Sequence, residues 1–337
     1  MASDSSPLHA VREKIDMVTP LIPQEIYLLE RYTSLESMEA VRDAWRAMLA
    51  HVETLLDRFM LQLPPDYRNR PLPEQPDIAW GETVLPNFRD TMHGLENACI
   101  RRANGDYMGL YRGFGVSGDI RGQLDYYEEW MDEVAPGAVR KYYDLLHRAG
   151  QLAKPIKMAS GGVWSPGDFT TAYDQVFPTL PLAPPLSWPV YRLNTQVTVK
   201  SGERNPVTGF YLPDVDDGVP TLLIKTDDEM WGEAPEASVT NPDGTDAGYL
   251  PCTWTLIERI ADTGGGTPGQ DNATGTDARV QRVPGGEACP RSGWWHTPAA
   301  KDSRRYFNQG DTLPSIEGSS YGDTYWLWDA NQDSPKL

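Results

Sequence analysis

The spacing of apolar residues changes part-way along the chain, and this change constrains the fold more than any other feature. Over residues 35–63 apolar side chains recur every three or four positions, as on the buried face of a helix. After Val190 the pattern alternates every two residues, which is typical of half-buried strands. The sequence therefore predicts an α+β protein, with an N-terminal α-helical bundle followed by a small, mostly antiparallel β domain.

The helical part predicts a bundle of four to six helices. Thr33 and Glu36 form a candidate capping box at the start of the clearest helix, which covers 35–63. A second helix is predicted over 77–102, where Pro86 should kink it or separate its first turns. The other predicted helical stretches are 8–31, 121–134 and 137–149.

Prolines predict where the two parts meet. Residues 151–189 contain seven prolines and read as a connector. The aromatic residues within this stretch need apolar surroundings, so we expect the connector to pack along the surface. The predicted domains are thus 1–150, 151–189 and 190–337. Strands are predicted at 190–200, 208–213, 220–226, 252–260, 278–283 and 324–329, and a long polar loop at 262–277.

The charge balance limits the classes of partner. The formal net charge is −18, with acidic residues in excess in both halves of the chain. Such a protein repels phosphate backbones, which argues against direct nucleic-acid binding, and it attracts basic partners, of which a nuclease is one example. Acidity that only keeps the protein soluble is the alternative explanation.

The cysteines and the apolar runs bear on localisation. Three cysteines, Cys99, Cys252 and Cys289, do not suit a disulfide framework and fit a reducing compartment. The N-terminal residues carry charges throughout, without the apolar core of a signal peptide. No apolar run is long enough to span a membrane. We therefore expect a cytoplasmic protein that does not enter a membrane.

Motifs for cofactors and metals are weak. The stretch GGGTPG at 264–269 matches a dinucleotide fingerprint, but no helical pattern follows it, so a turn is expected. The stretch DVDDG at 214–218 resembles the start of a calcium loop, but Lys225 stands where the bidentate glutamate belongs. The five histidines have no paired spacing. We expect no cofactor and no metal.

A cluster near the C-terminus looks like a nucleophile with its base. Cys289, Ser292 and His296 lie within eight positions of one another, with Trp294 and Trp295 between them. A catalytic base must be close in space to its thiol, and a strand that starts at Gly293 would carry the histidine away. We interpret this cluster as packing and expect no catalytic residues.

The segment LDYYEEWMDEV, 124–134, is the best candidate for partner binding. On a helix, Leu124, Tyr127, Met131 and Val134 would face inward. Tyr126 and Trp130 would form a second, aromatic stripe among five acids, which suits the capture of a basic surface. A solvated helix face is the alternative. The candidate partner-binding residues are Asp125, Tyr126, Glu128, Glu129, Trp130, Asp132 and Glu133; 214–218 and 226–229 are weaker candidates.

Several longer stretches resemble a known family. They are ACPRSGWWHTPA, SRRYFNQGDTLP and YGDTYWLWD near the C-terminus, and LPPDYRNRPLPEQPDIAWGETVLPNFRDTMHGL in the helical part. Together these stretches resemble a two-module family of bacterial polymorphic-toxin immunity proteins, helical and then β. Within that family, the sequence most resembles the immunity protein of a type VI secreted nuclease toxin of the GHH type.

This resemblance implies a non-enzymatic, cytoplasmic antitoxin. Such a protein would bind a cognate nuclease (DNase) toxin, occlude its active site or nucleic-acid groove, and protect the producing cell. The family has no catalytic residues to carry over. Two alternatives stay open: a carbohydrate-active enzyme or lectin, since tryptophans, tyrosines and carboxylates also build sugar sites, and a secretion adaptor that loads the toxin.

Overall fold

Helices occupy the first half of the chain and antiparallel strands the second, so the predicted α+β class is confirmed. The computed structural model describes residues 21–215, 218–228, 231–240, 246–268, 282–297, 299–300, 303–316 and 324–329. These residues belong to two compact units: Pro23–Pro268 forms the larger one, and the described residues from 282 onward lie in the smaller one.

The helices of the larger unit form a bundle around α2, α3 and α6. Their bounds are α1 Pro23–Tyr32, α2 Leu35–Leu61, α3 Leu85–Ala103, α4 Phe114–Gly122, α5 Trp130–Val134, α6 Ala138–Gly161 and α7 Tyr173–Val176. A π-helical stretch, Asp77–Val84, precedes α3, and 3₁₀ turns cover Tyr107–Gly113 and Gln123–Asp125. The wide π-helical turns end where α3 begins with Pro86 near its N-terminus, so the predicted separation at this proline is confirmed.

The start of α2 differs from the predicted capping box. Ser34 is the N-cap, and its hydroxyl accepts a hydrogen bond from the Ser37 amide at 3.3 Å. The Thr33 hydroxyl instead donates to the Leu29 carbonyl at 2.8 Å, at the end of α1. The prediction was therefore wrong by one residue, because the threonine satisfies the preceding helix.

Helix α6 runs twelve residues past the position predicted for its end, since it stops at Gly161 and not at Ala149. Its buried stripe continues through Ala153, Pro155, Ile156 and Ala159. The proline is accepted within the helix, and Gly162 ends it in a left-handed conformation, at φ +62°. The predicted boundary at residue 150 thus falls inside a helix.

The rest of the proline-rich connector packs as predicted. Trp164, Phe169, Tyr173, Phe177 and Trp188 are all buried. The hydroxyls of Tyr32 and Tyr173 are hydrogen-bonded, and the Gln24 amide donates to the Phe169 carbonyl at 2.9 Å. These contacts attach the connector to α1, so it is part of the larger unit's core.

The larger unit also contains two sheets. Its strands are β1 Val190–Lys200, β2 Gly209–Pro213, β3 Thr221–Leu223, β4 Ala237–Thr240, β5 Asp246–Leu250 and β6 Thr253–Ala261. They pair antiparallel in the order β1-β6-β2-β3, with β4-β5 as a separate ribbon. Tyr111 of the bundle stacks on Trp231 at 3.9 Å, and the Trp164 indole donates to the Pro220 carbonyl. Helices and first sheet therefore share one packed body.

The smaller unit is built on a second antiparallel sheet. Its strands are β7 Arg282–Pro284, β8 Gly293–His296, β9 Arg305–Phe307 and β10 Tyr325–Trp328, in the order β7-β10-β8-β9. Cys289, Trp295, Leu313 and Trp326 form its core. Strands β4, β5 and β9 were not predicted, since each is short and lies between turns.

Some predictions fall outside the described residues. These are the first part of the helical stretch 8–31, most of the polar loop 262–277 and the start of the strand 278–283. Among the helices that are described, none is both long and apolar enough to cross a membrane.

We expect a fragment spanning Pro23–Pro268 to unfold cooperatively, because its helices, connector and first sheet share buried contacts. A fragment that ends at Gly150 should not, because it loses the second half of α6 and the connector aromatics. Thermal melts followed by circular dichroism test both. A cooperative melt of the shorter fragment would contradict the shared core.

Candidate functional site

The candidate segment 124–134 is not one continuous helix. A 3₁₀ turn, Gln123–Asp125, follows α4; Tyr126 is then extended, at φ −115° and ψ 133°, and α5 starts only at Trp130. The predicted helix over 121–134 is therefore wrong in its middle. The break rotates the side chains away from the stripes that an unbroken helix would give.

Trp130 lies in the core, so its predicted position on an outward aromatic stripe is wrong. Its side chain is fully buried, and its ring meets those of Phe59 at 5.7 Å and Trp80 at 5.8 Å edge-to-face. Leu124 and Tyr127, predicted to face inward, are exposed instead, by 64% and 39%. Met131 is buried as predicted. Tyr127 is thus the solvent-facing aromatic of this segment.

Four of the five predicted acids have partners within the protein. The Tyr143 hydroxyl donates to Glu128 at 2.7 Å, and the Tyr127 hydroxyl donates to Glu129 at 3.1 Å. The Val139 amide donates to Asp132 at 3.0 Å, and the Arg70 guanidinium donates to Glu133 at 3.0 Å. These acids therefore hold the segment in place as well as carrying charge.

Two predicted residues stand apart from this network. Among the described residues, Asp125 makes no ion pair or side-chain hydrogen bond, and its side chain is exposed. Tyr126 is half-buried. The Asp125 carboxylate is thus available to a partner without the loss of an internal contact.

A second segment, 66–74, adds acids that the sequence did not single out. The pKa of Tyr127 is raised by partial burial and by its hydrogen bond to Glu129, and the charges of Glu133 and Glu74 add to the effect. Arg70 responds to some of the same acids. Its hydrogen bond to Glu133 is the largest cause of its raised pKa, and the charges of Asp66 and Glu74 raise the pKa further. We call Asp66, Glu74, Glu129 and Glu133, together with Tyr127, the acidic face.

Sequence reasoning missed Asp66 and Glu74 because they lie in a proline-rich stretch without periodicity. The exposed Leu72, at 63%, belongs to the same stretch. A signal that could have found them is their position next to Pro65 and Pro73 in PPDYRNRPLPEQP, where prolines exclude a regular helix.

The cluster near the C-terminus does not form a nucleophile with a base. The Cys289 thiol is 1% exposed, donates to the Arg291 carbonyl at 3.0 Å, and has its pKa raised by burial. The Ser292 hydroxyl accepts from the Gln309 amide at 2.8 Å. On β8, His296 alternates with the buried Trp295, so it projects from the opposite face of the strand. This arrangement favours a role in packing.

The described residues of the weaker motifs lie in turns. Asp214 accepts from the Thr253 amide at 2.6 Å; Asp216 and Asp217 lie outside the described residues, as does Glu229. The amides of Gly264 and Gly265 bond to Ser187 and Trp188, which makes GGGTPG a turn as far as residue 268. Within the described ranges, no group of three His, Cys, Asp or Glu side chains could hold a metal.

A polar groove of about 330 Å³ lies between the end of α3, the start of β2 and the end of β3. Its lining includes Arg101, Asn104, Asp106, Tyr107, Thr208 and Lys225. Asp106 is the carboxylate in this lining, and it is paired with Arg101 at 2.7 Å. A glycosidase needs two facing carboxylates, so the groove does not support the carbohydrate-active alternative.

The comparisons with known proteins gave no relatives. No family model matches the chain, and neither the curated proteins nor the solved structures contain a match.

Helix α4, which precedes the candidate segment, contains a partly buried carboxylate that is not fully hydrogen-bonded. One oxygen of Asp119 is buried without a hydrogen-bond partner. Burial raises the pKa of Asp119 above its ordinary value of 3.8; a hydrogen bond from Thr91 lowers it, and the charge of Asp90 raises it. The ionised carboxylate therefore costs free energy in the folded state.

The stability losses caused by replacing Trp130 and Tyr127 should distinguish a core residue from a surface residue. Trp130→Ala should destabilise the protein by about 3–5 kcal/mol, because it leaves a cavity between Phe59 and Trp80. Tyr127→Ala should cost less than about 1 kcal/mol, since the ring is exposed. Urea denaturation measures both. Equal losses would contradict this assignment of core and surface.

Asp119→Asn should stabilise the protein by about 1 kcal/mol at neutral pH, since it removes a buried charge with an unpartnered oxygen. The folded-state pKa is raised, so the wild type gains stability as pH falls toward 3.8 and the carboxyl becomes protonated. The advantage of the variant should therefore shrink over that range. Chemical denaturation at pH 7 and pH 4 checks this; a constant difference would contradict it.

Proposed function

We propose that this protein is a non-enzymatic immunity protein that binds a cognate secreted nuclease toxin and blocks its active site or nucleic-acid groove. The observation that carries the proposal is the acidic face: Glu74, Glu129 and Glu133, from two chain segments, act electrostatically on the solvent-facing Tyr127. Asp66 acts on Arg70, which is paired with Glu133. The family resemblance of the sequence supports the same function.

The chemistry of the acidic face suits a basic partner. A nuclease surface that binds DNA is already arranged to hold anions, so clustered carboxylates can replace phosphates there. An aromatic ring among the acids provides apolar contact area at the centre of such an interface. The formal net charge of −18 adds long-range attraction, which speeds association with a basic partner.

The internal contacts of the acids identify which of them to change. Glu133 is paired with Arg70, and Asp132 accepts from the first turn of α6, so reversing either charge would also disturb the fold. Within the described part of the chain, the carboxylates of Glu74 and Asp125 make no ion pair or hydrogen bond. Both are exposed. Charge reversal at these two positions therefore tests binding with little effect on stability.

We expect Glu74→Lys with Asp125→Lys to weaken binding to the cognate nuclease at least tenfold, because it places positive charge against a basic surface. The loss should lie in the association rate and should decrease at high salt, where exposed charges are screened. Tyr127→Ala should mainly raise the dissociation rate. Surface plasmon resonance against the catalytically inactive nuclease, at low and physiological salt, measures these rates.

The matched control is Asp174→Lys with Glu236→Lys, which makes the same change in net charge at exposed positions on α7 and before β4. It should bind like the wild type at physiological salt. If both double variants bind equally well, neither the acidic face, which Glu74 represents, nor the neighbouring Asp125 belongs to the interface. If the nuclease binds but remains active in the complex, the protein is an adaptor and not an inhibitor.

A further inference from the structure

The polar groove beside α3 shares no residue with the acidic face, and the proposed inhibition does not use it. It is formed where the last turn of α3 and the following residues meet the start of β2 and the end of β3. Arg101 and Lys225 line the groove from these two sides, and Asp106 is the carboxylate in its lining. The lining is thus net positive in a chain whose formal net charge is −18.

Hydrogen-bond donors are in excess in this groove. Both oxygens of Asp106 are already engaged, one by Arg101 Nε at 2.7 Å and the other by the Met108 amide at 2.8 Å. Arg101 uses only Nε in that contact, so the N–H groups of its two terminal nitrogens remain available to donate to a ligand. The ammonium of Lys225 makes no ion pair or hydrogen bond within the described residues.

The hydroxyls of the groove add to this donor capacity. The Thr208 hydroxyl accepts from the Lys225 backbone amide at 2.9 Å, and the Thr226 hydroxyl accepts from the Asp228 amide at 3.3 Å. Neither hydroxyl donates a hydrogen bond among the described residues, so each can still do so. Both carboxylate oxygens of the lining are thus engaged, whereas several of its donors are not.

We propose that the groove binds a small oxyanion, a phosphate or carboxylate group, with Arg101 and Lys225 as its charged ligands. An oxyanion supplies several acceptors at once and neutralises the net positive charge of the lining. A volume of about 330 Å³ suits a small molecule, and the strong negative charge of the chain disfavours a polyanion such as nucleic acid. Arg101 and Arg102 offset the partial negative charge at the end of α3, which would otherwise repel the ligand.

Titration calorimetry of the full chain tests this site, with inorganic phosphate and citrate as separate probes at constant ionic strength. Saturable binding of one ion per chain is expected. Binding of phosphate alone would assign a phosphate ligand, and stronger binding of citrate would assign a carboxylate ligand. Lys225→Gln should weaken binding at least fivefold. Its side chain makes no hydrogen bond or ion pair among the described residues, so the fold should be unchanged. Arg101→Gln should have a similar effect, with its melting temperature measured in parallel because the pair with Asp106 is lost.

The matched control is Lys141→Gln, at an exposed position on α6, which should bind like the wild type. It separates a site from the general stabilisation that phosphate gives to folded proteins. Absence of saturable binding, or equal binding by the Lys225→Gln and Lys141→Gln variants, would overturn the proposal.

Discussion

The packing of Trp80 is the interaction on which the helical part depends. This side chain is fully buried, and its ring lies edge-to-face with those of Phe88, Trp130 and Tyr142, at 6.4, 5.8 and 5.5 Å. It thereby joins α3, α5 and α6 to the π-helical stretch that contains it. Its indole N–H also donates to the Tyr127 carbonyl at 2.8 Å. A core residue thus holds the backbone of the candidate segment, so the exposed Tyr127 is presented from a rigid base.

The acids of the candidate segment have two roles that compete. Asp132 accepts a backbone amide in the first turn of α6, and Glu128 accepts the Tyr143 hydroxyl. A carboxylate that is engaged in this way must break or share its contact to bind a partner, which reduces its net contribution. Unengaged carboxylates such as Glu74 and Asp125 lose only hydration. The unengaged acids are therefore the ones whose replacement should change binding without changing stability.

Periodicity predicted the elements, and tertiary contacts decided their ends and faces. The apolar stripe of α2 is buried as predicted, because a long three-four repeat has one way to face a core. The side chains of segment 124–134 were placed wrongly because the prediction assumed an unbroken helix. The chain becomes extended at Tyr126, and Trp130 packs against Trp80. The prolines beside Asp66 and Glu74 exclude a regular helix there, but the closeness of these acids to the candidate segment could not be predicted, since the two segments meet only through packing between helices.

The electrostatics of the acidic face also bear on why a rigid base matters. Glu74, Glu129 and Glu133 lie near Tyr127 with Arg70 as the nearby cation, and their charges contribute to the raised pKa of the tyrosine. Like charges held together destabilise the free protein, and a flexible segment would relieve this by spreading them apart. Because Trp80 and Trp130 hold the candidate segment in place, the part of the repulsion that Arg70 does not offset persists in the free protein. On the proposed function, a basic nuclease surface supplies the cations, and part of the binding free energy is the repulsion that it removes.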